Sequence, residues 1–378
     1  MTAPTITVAP EDPVAWDVAE KVATRVGGRE PLEDSYLYAS LDPDLREFTA
    51  LAEELVERET GLRSLAGPAR ARVTDRPGWI GANVRSFRRL LRPLTDRLGQ
   101  RLGTGTVAKV GRSVAGAEVG ALLGWMSTRV LGQYDLLVIE DEEPESQDIV
   151  YYVGPNILSL EKRYAFPPRE FRLWLALHEV THRAQFTGVP WMRAHFLSLV
   201  EQSLNAFDPD PKRFVEALQR AVAEIRAGRN PLDEGGIVSL FATPEQSAVF
   251  RQIQGLMSLL EGHGDLVMDR AGADLIPSAG RFKQVLHQRR QASGATRAFQ
   301  KLIGLEAKLR QYHDGEQFLE AIEKADPANV SRLWRGPEWL PSIEEIRNPE
   351  KWLARTAPTD GKDESEGEGP AAAEAVAR

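Results

Sequence analysis

The chain is organised around a stretch that reads Leu173-Trp174-Leu175-Ala176-Leu177-His178-Glu179-Val180-Thr181-His182. In an α-helix, residues four positions apart lie one above the other, so His178 and His182 can direct two imidazoles at one point. Glu179 lies about 100° around the helix from His178, where its carboxylate can contact a water on a shared metal. This HExxH pattern predicts a Zn²⁺ site with His178 and His182 as ligands and Glu179 as the catalytic base.

The residues around the motif favour a buried helix. Pro167 and Pro168 place a proline at the first turn, and Gly188 and Pro190 lie just past a natural end. The alternative interpretation is a core helix whose two histidines are hydrogen-bonded and bind no metal. A catalytic zinc site needs one more protein ligand, so the third ligand decides between these interpretations.

A second predicted helix offers that ligand. Thr243, Pro244 and Gln246 combine a capping box with a proline at the first helical position, and Gly272 follows the last periodic residue. The apolar positions between these signals recur with helical spacing, so we expect a helix that runs to about residue 271.

Three polar residues interrupt this apolar run, and burying them without partners would be costly. Glu261 and Asp265 are four positions apart, so both carboxylates point the same way. We expect Glu261 to bind the zinc and Asp265 to accept the spare N–H of a ligating imidazole. His263 lies about 200° around the helix from Glu261, so the two cannot easily share one zinc, and His263 stays the alternative third ligand.

The bulk composition is that of an ordinary globular protein of 378 residues, with 42% hydrophobic and 27% charged residues. A net charge of -8 argues against a dedicated nucleic-acid binder. The chain has no cysteine, which excludes disulfides, thiolate zinc sites and cysteine nucleophiles. It has no predicted signal peptide, and we expect a cytoplasmic protein.

Helical periodicity dominates the rest of the chain, so the predicted fold class is mainly α (α+β). Helices are expected at 13–26, 42–60, 191–205, 209–228 and in one or two pieces over 285–322. Two β-rich runs, 134–139 and 149–153, predict a small hairpin or short sheet upstream of the HExxH helix. Such a sheet edge would lie over the metal cleft, where an extended peptide could add as a strand.

Two further segments have an alternative functional interpretation. Residues 61–101 are rich in arginine, which could face an anion, but pairing within this acidic protein or solvation is the favoured interpretation. In the segment 111–131, Gly116, Gly120 and Gly124 form a smooth stripe. Charged residues leave its apolar run too short for a membrane span, so we expect close helix packing inside the fold.

We expect an N-terminal helical region over 1–110, arginine-rich from 61, packed against a metal-binding domain over 111–355. The last residues, 356–378, are acidic and low in apolar bulk, which predicts a disordered tail.

The site pattern resembles the gluzincin arrangement of zinc metallopeptidases, in which a glutamate helix supplies a ligand and a supporting aspartate. Four stretches carry a second resemblance: Val130–Asp135, Leu177–Gln185, Glu261–Asp269 and Gly304–Tyr312. Together they resemble an actinobacterial family of zincin-like proteins named as suspected hydrolases or zinc-dependent metalloproteases, one branch of which is associated with biosynthesis of a deazaflavin coenzyme. The resemblance implies a zincin-like helical fold and no particular substrate.

Two functional hypotheses follow. The first is a zinc hydrolase acting on a peptide or protein, without nucleic-acid or membrane partners, in which His263, His287 and Tyr312 are candidates for oxyanion or substrate contacts. The second is a catalytically inactive zincin with a binding or structural role, linked to deazaflavin coenzyme metabolism. The long segment between His182 and Glu261 could carry a substrate-selective lobe or fill the cleft. The oligomeric state does not follow from the sequence.

Overall fold

A computed structural model describes residues 12–92, 94–95, 105–136, 148–205, 244–291 and 305–357. The predicted mainly α (α+β) class is confirmed, because helices pack around one small sheet. The helices in the described ranges are α1 (Trp16–Gly27), α2 (Leu41–Thr60), α3 (Arg76–Leu90), α4 (Thr106–Ser127), α5 (Gly154–Tyr164), α6 (Pro168–Thr187), α7 (Met192–Asn205), α8 (Pro244–Ala271), α9 (Ala279–Gln291), α10 (Leu305–Ala325), α11 (Ala328–Arg332), α12 (Ile343–Arg347) and α13 (Pro349–Thr356).

Helix boundaries follow the local signals. Gly61 ends α2 in the left-handed conformation (φ 70°), which glycine adopts without the penalty of a Cβ. Asp75 caps α3 by accepting a hydrogen bond from the N–H of Gly78. Pro168 begins α6 and Pro244 begins α8, as the proline positions predict. The helix predicted over 209–228 and the tail after residue 357 lie outside the described residues.

The sheet has three strands in the order β1-β3-β2, with β1 (Arg70–Thr74), β2 (Gly132–Tyr134) and β3 (Ile149–Val153). The predicted pairing of the two β-rich runs is confirmed, since β2 lies antiparallel to β3. The strand predicted over 134–139 is found earlier, because β2 runs from Gly132 to Tyr134, and residues 137–139 of the prediction lie outside the described residues. The strand β1, which pairs parallel to β3, was missed because it lies in the arginine-rich segment.

The glycine stripe packs against another helix, as predicted. Gly116, Gly120 and Gly124 of α4 face the backbone of α1 so closely that a Cβ on each would meet its carbonyl oxygens. The residues at this contact are Ala15, which precedes α1, and Ala19 and Ala23 within it. None of the helices in the described part of the chain combines the length and hydropathy that a membrane-spanning segment needs.

The largest core cluster surrounds α6 and draws side chains from α2, β3, α5, α8 and α9. Aromatic rings fill the end nearest the start of α6, where Phe166, Phe171, Trp174 and Phe282 pack against one another. A separate cluster joins α1, α3 and α4, and another joins α8 to α10, α12 and α13. The proposed division into domains at residues 110 and 355 stays a prediction.

Two buried arginines fix the ends of α6. Near its start, Arg172 binds both carboxylate oxygens of Glu161 and also Asp44 of α2. Near its end, Arg183 binds Asp148, Glu53 of α2 and the carbonyl of Gly67. Removing one partner of a buried ion pair typically costs about 3–5 kcal/mol, because the other charge stays buried. These contacts therefore hold α6 firmly against α2 and β3.

Part of the arginine-rich segment also pairs within the protein. Arg76 donates to Asn156, to the carbonyl of Gly27 and to Glu30. These bonds join the end of α1 to the starts of α3 and α5. The segment therefore has a structural role at this position.

Candidate metal centre

The helix α6 presents both histidines of the motif on one face. His178 Nε2 and His182 Nε2 lie 3.3 Å apart, as expected for side chains one turn apart that aim at a common point. Most of α6 is buried, but both rings remain partly exposed, with side-chain exposures of 26% and 16%.

The helix α8 brings a carboxylate to the same point. Glu261 Oε2 lies 3.6 Å from His182 Nε2 and 4.0 Å from His178 Nε2. Ligand atoms about 2.05 Å from a tetrahedral zinc would be about 3.3 Å apart. The two imidazole nitrogens are at that spacing, and the carboxylate oxygen would have to move inward by a few tenths of an ångström to bind the same ion. Within the described residues these three form the one group of His, Cys, Asp or Glu that could hold a metal.

The donor set suits zinc, and three protein ligands leave a fourth position, as in catalytic zinc sites. The electrostatics of the group favour a cation. Burial acts to lower the pKa of His182, but the hydrogen bond and charge of Glu261 outweigh it and raise the pKa to about 9. The pocket therefore stabilises positive charge between the imidazoles and the carboxylate.

Gln185 lies behind His182, one turn further along α6, and is fully buried. His182 Nδ1 and Gln185 Oε1 are 2.9 Å apart. The amide nitrogen Nε2 donates to the carbonyl of Leu260 at 2.9 Å and lies 3.0 Å from His263 Nδ1. Sequence reasoning missed Gln185, although a glutamine three positions after a ligand on a buried face is itself a signal.

Glu179 lies under the edge strand β2. Its Oε2 accepts a hydrogen bond of 3.1 Å from the N–H of Tyr134, and its carboxylate fills the space beside Gly132 where a Cβ would lie. Only 6% of the residue is exposed. Burial raises the pKa of Glu179 to about 7, with His182 acting to lower it and Glu261 to raise it further.

The remaining candidates lie at different places. Asp265 follows Glu261 by one turn on α8 and is partly buried, and its role behind a ligating imidazole stays a prediction. His263 is buried against the ring of Trp334, and burial lowers its pKa to about 3. His287 is exposed on α9, and Tyr312 belongs to α10 but its side chain is outside the described residues. The roles of His263, His287 and Tyr312 as substrate contacts stay predictions.

The site can be compared with known proteins. Among curated proteins, none matches this sequence. A crystal structure from Chloroflexus aurantiacus, described as a suspected hydrolase with a novel fold, matches with a TM-score of 0.67 and 32% identity over 92% of this chain and 99% of that one. The link to a deazaflavin coenzyme and to actinobacteria stays a prediction.

A family model described as zincin-like metallopeptidase matches residues 14–353, which include both helices of the site. The match, the HExxH helix and the three converging ligand atoms together support a zinc hydrolase in general. The chain therefore belongs to the zincin-like metallopeptidase family.

Proposed function

We propose that this protein is a zinc-dependent hydrolase that cleaves peptide bonds, with His178, His182 and Glu261 as ligands and Glu179 as general base. The observation that carries the proposal is the convergence of the three ligand atoms, which all lie within 4.0 Å of one another. Glu179 is adjacent to the first ligand on the same helix and interacts electrostatically with His182 and Glu261. The family name describes metallopeptidases, which agrees with this chemistry.

Zinc bound by these residues would polarise the scissile carbonyl and lower the pKa of a water molecule. Glu179 would take the proton of that water and return it to the leaving amine. A pKa raised to about 7 suits both steps, because a base near the working pH can accept and release a proton. The N–H of Tyr134 holds one carboxylate oxygen and so fixes the side chain in place.

The strand β2 offers a place for the substrate. It is an edge strand, and Leu131 and Asp135 on either side of it bond to β3, so the N–H of Tyr134 faces the other way, towards Glu179. Glu179 occupies the outward N–H of Tyr134, so a peptide lying along this edge would pass beside the base without pairing to that N–H. This geometry supports an extended peptide as the substrate class.

The test combines metal analysis with turnover of a peptide library. The purified protein is expected to bind one zinc per chain and to cleave peptides. Glu179→Gln keeps an oxygen that can accept from Tyr134, so it is expected to fold and bind zinc normally while kcat falls by about 10²–10⁴-fold. Turnover that survives this substitution would exclude Glu179 as the base.

A second candidate is a zincin that binds zinc without catalysis. The observation in its favour is that β2 covers Glu179 and leaves it only 6% exposed. A protein that takes up zinc but cleaves no member of the peptide library would favour this candidate.

A further inference from the structure

We infer that Gln185 is a positioning residue that selects which ring nitrogen of His182 carries the proton. The same side chain ties the histidine helix α6 to the glutamate helix α8. The inference rests on the metal-binding part of the proposed function and not on peptide cleavage. It concerns a fully buried residue outside the HExxH motif, whose side chain contacts His182, Leu260 and His263.

The orientation of the Gln185 amide follows from its neighbours. A backbone carbonyl can only accept hydrogen bonds, so the amide atom that faces the Leu260 carbonyl at 2.9 Å must be the NH₂ group. The opposite atom, which faces His182 Nδ1, must then be the oxygen Oε1. The reverse orientation would place two acceptors against each other, so the Leu260 carbonyl resolves the ambiguity of the amide.

This orientation determines where His182 carries its proton. An amide oxygen is only an acceptor, so Nδ1 of His182 must donate to it. In the neutral imidazole, the lone pair is then on Nε2, which is the atom that faces His178 and Glu261. Gln185 therefore selects the one tautomer in which His182 can bind a metal at this point.

The same side chain aligns the two helices of the site. Leu260 immediately precedes Glu261, so the bond from Gln185 to the Leu260 carbonyl fixes α8 next to the ligand that it supplies. The second N–H of the amide has an acceptor in His263 Nδ1, 3.0 Å away. His263 thus helps to hold the Gln185 side chain in place behind the metal ligands.

The experiment measures zinc affinity by competition with a chromophoric chelator on the full chain. Gln185→Met keeps the size of the side chain and removes its donor and acceptor, so zinc affinity is expected to fall by about 10–100-fold. Gln185→Glu keeps an acceptor for His182 but sets a carboxylate oxygen against the Leu260 carbonyl, so it is expected to recover only part of that loss. The control Thr187→Val removes a hydrogen bond to the Arg183 carbonyl on the same helix and should leave the affinity unchanged.

A spectroscopic readout separates positioning from general loss of structure. In zinc-loaded protein, NMR should show a protected His182 Nδ1 proton in the wild type and in Thr187→Val, and its loss in Gln185→Met. If the methionine variant does not fold, Gln185→Asn replaces it. This variant keeps the amide but is too short to bridge His182 and Leu260, so its zinc affinity is expected to fall about tenfold.

Two results would overturn the inference in different ways. Folded Gln185→Met or Gln185→Asn that binds zinc within twofold of the wild type would overturn the role of Gln185 alone. A wild-type protein that takes up no zinc would overturn the proposed metal site and this inference with it.

Discussion

Glycine at position 132 makes room for the proposed base. A Cβ placed there would lie 2.6 Å from Glu179 Oε1 and 2.7 Å from its Cγ, which no real contact tolerates. The carboxylate is also held by the N–H of Tyr134, two residues along the same strand. The backbone of β2 thus sets the position of Glu179 from two directions.

Gly132→Ala is expected to displace the Glu179 carboxylate and to lower kcat of the proposed hydrolase by about 10²-fold, since misplacement by about 1 Å can cost that much. Zinc affinity should stay within a few fold, because the ligands lie on α6 and α8. Overpacking should also lower the free energy of unfolding by about 1–3 kcal/mol. Turnover, chelator competition and urea denaturation measure these three effects.

Gly280→Ala is the matched control, because a Cβ at that position of α9 meets nothing within 4 Å. It should leave turnover and zinc affinity unchanged and should not lower the free energy of unfolding. A Gly132→Ala protein with wild-type turnover and stability would contradict the contact between β2 and the base.

At the residue scale, the sequence predicts well what helical spacing controls. His178 and His182 converge because they are four positions apart, and this requires no knowledge of the fold. The contacts of Gln185 and Gly132 depend on how α8 and β2 pack against α6, which no local pattern records. Glycine is the extreme case, because its contribution is the absence of a side chain.

Among the elements, α1 and α4 pack most closely along the glycine stripe. The sequence shows the stripe on α4 but does not identify the partner. The complementary surface is formed by Ala15 just before α1 and by Ala19 and Ala23 within it. The strand β1, in contrast, cannot be recognised from the sequence at all. Its parallel pairing with β3 joins residues about eighty positions apart, and its arginines mask the strand pattern.

Two glycine substitutions on α4 should change the free energy of unfolding in opposite directions. Gly120→Ala would push a Cβ into the Ala19 carbonyl and the Val22 side chain, so we expect it to lower the free energy of unfolding by about 1–3 kcal/mol. Gly111→Ala has open space around its Cβ and should raise the free energy of unfolding by about 0.5–1 kcal/mol through helix propensity.

Urea denaturation of the two variants beside the wild type measures the difference. Both changes add the same methyl group to the same helix, so the contribution of helix propensity cancels in the difference between their free energies of unfolding. The difference then reports the packing of α1 on α4. Equal stabilisation by both substitutions would show that α1 accommodates the methyl group added at position 120 without any loss of stability.

At the scale of the whole molecule, α6 is the common neighbour of the helices α2, α5, α7, α8 and α9 and of the strands β2 and β3. Arg183 and Arg172 fix it to α2, and the main core surrounds it, so its position is set before any metal is considered. The helix α8 is joined to α6 through the bond from Gln185 and through packing. Glu261 therefore depends more on this junction than the two histidines do.

A bound zinc would close this junction, because it links α6 to α8 across the long segment 183–260 of the chain. A ligand that binds only the folded state stabilises it by an amount that grows with the logarithm of the ratio of its free concentration to Kd, about 4.1 kcal/mol at 1,000 times Kd. Zinc at that level should raise the free energy of unfolding by this amount, and a strong chelator should remove the gain. Urea denaturation with buffered zinc measures it.

The variant Glu261→Gln tests whether the gain comes from this site. The amide is a much weaker zinc ligand than the carboxylate, so most of the zinc-dependent stabilisation should disappear, whereas the metal-free stability should change less. The zinc titration must be repeated on Asp269→Asn, an exposed carboxylate later on α8, which should keep the full gain. Equal stabilisation of the wild type and Glu261→Gln would place the metal elsewhere, and α6 and α8 would then be held together by Gln185 and the core alone.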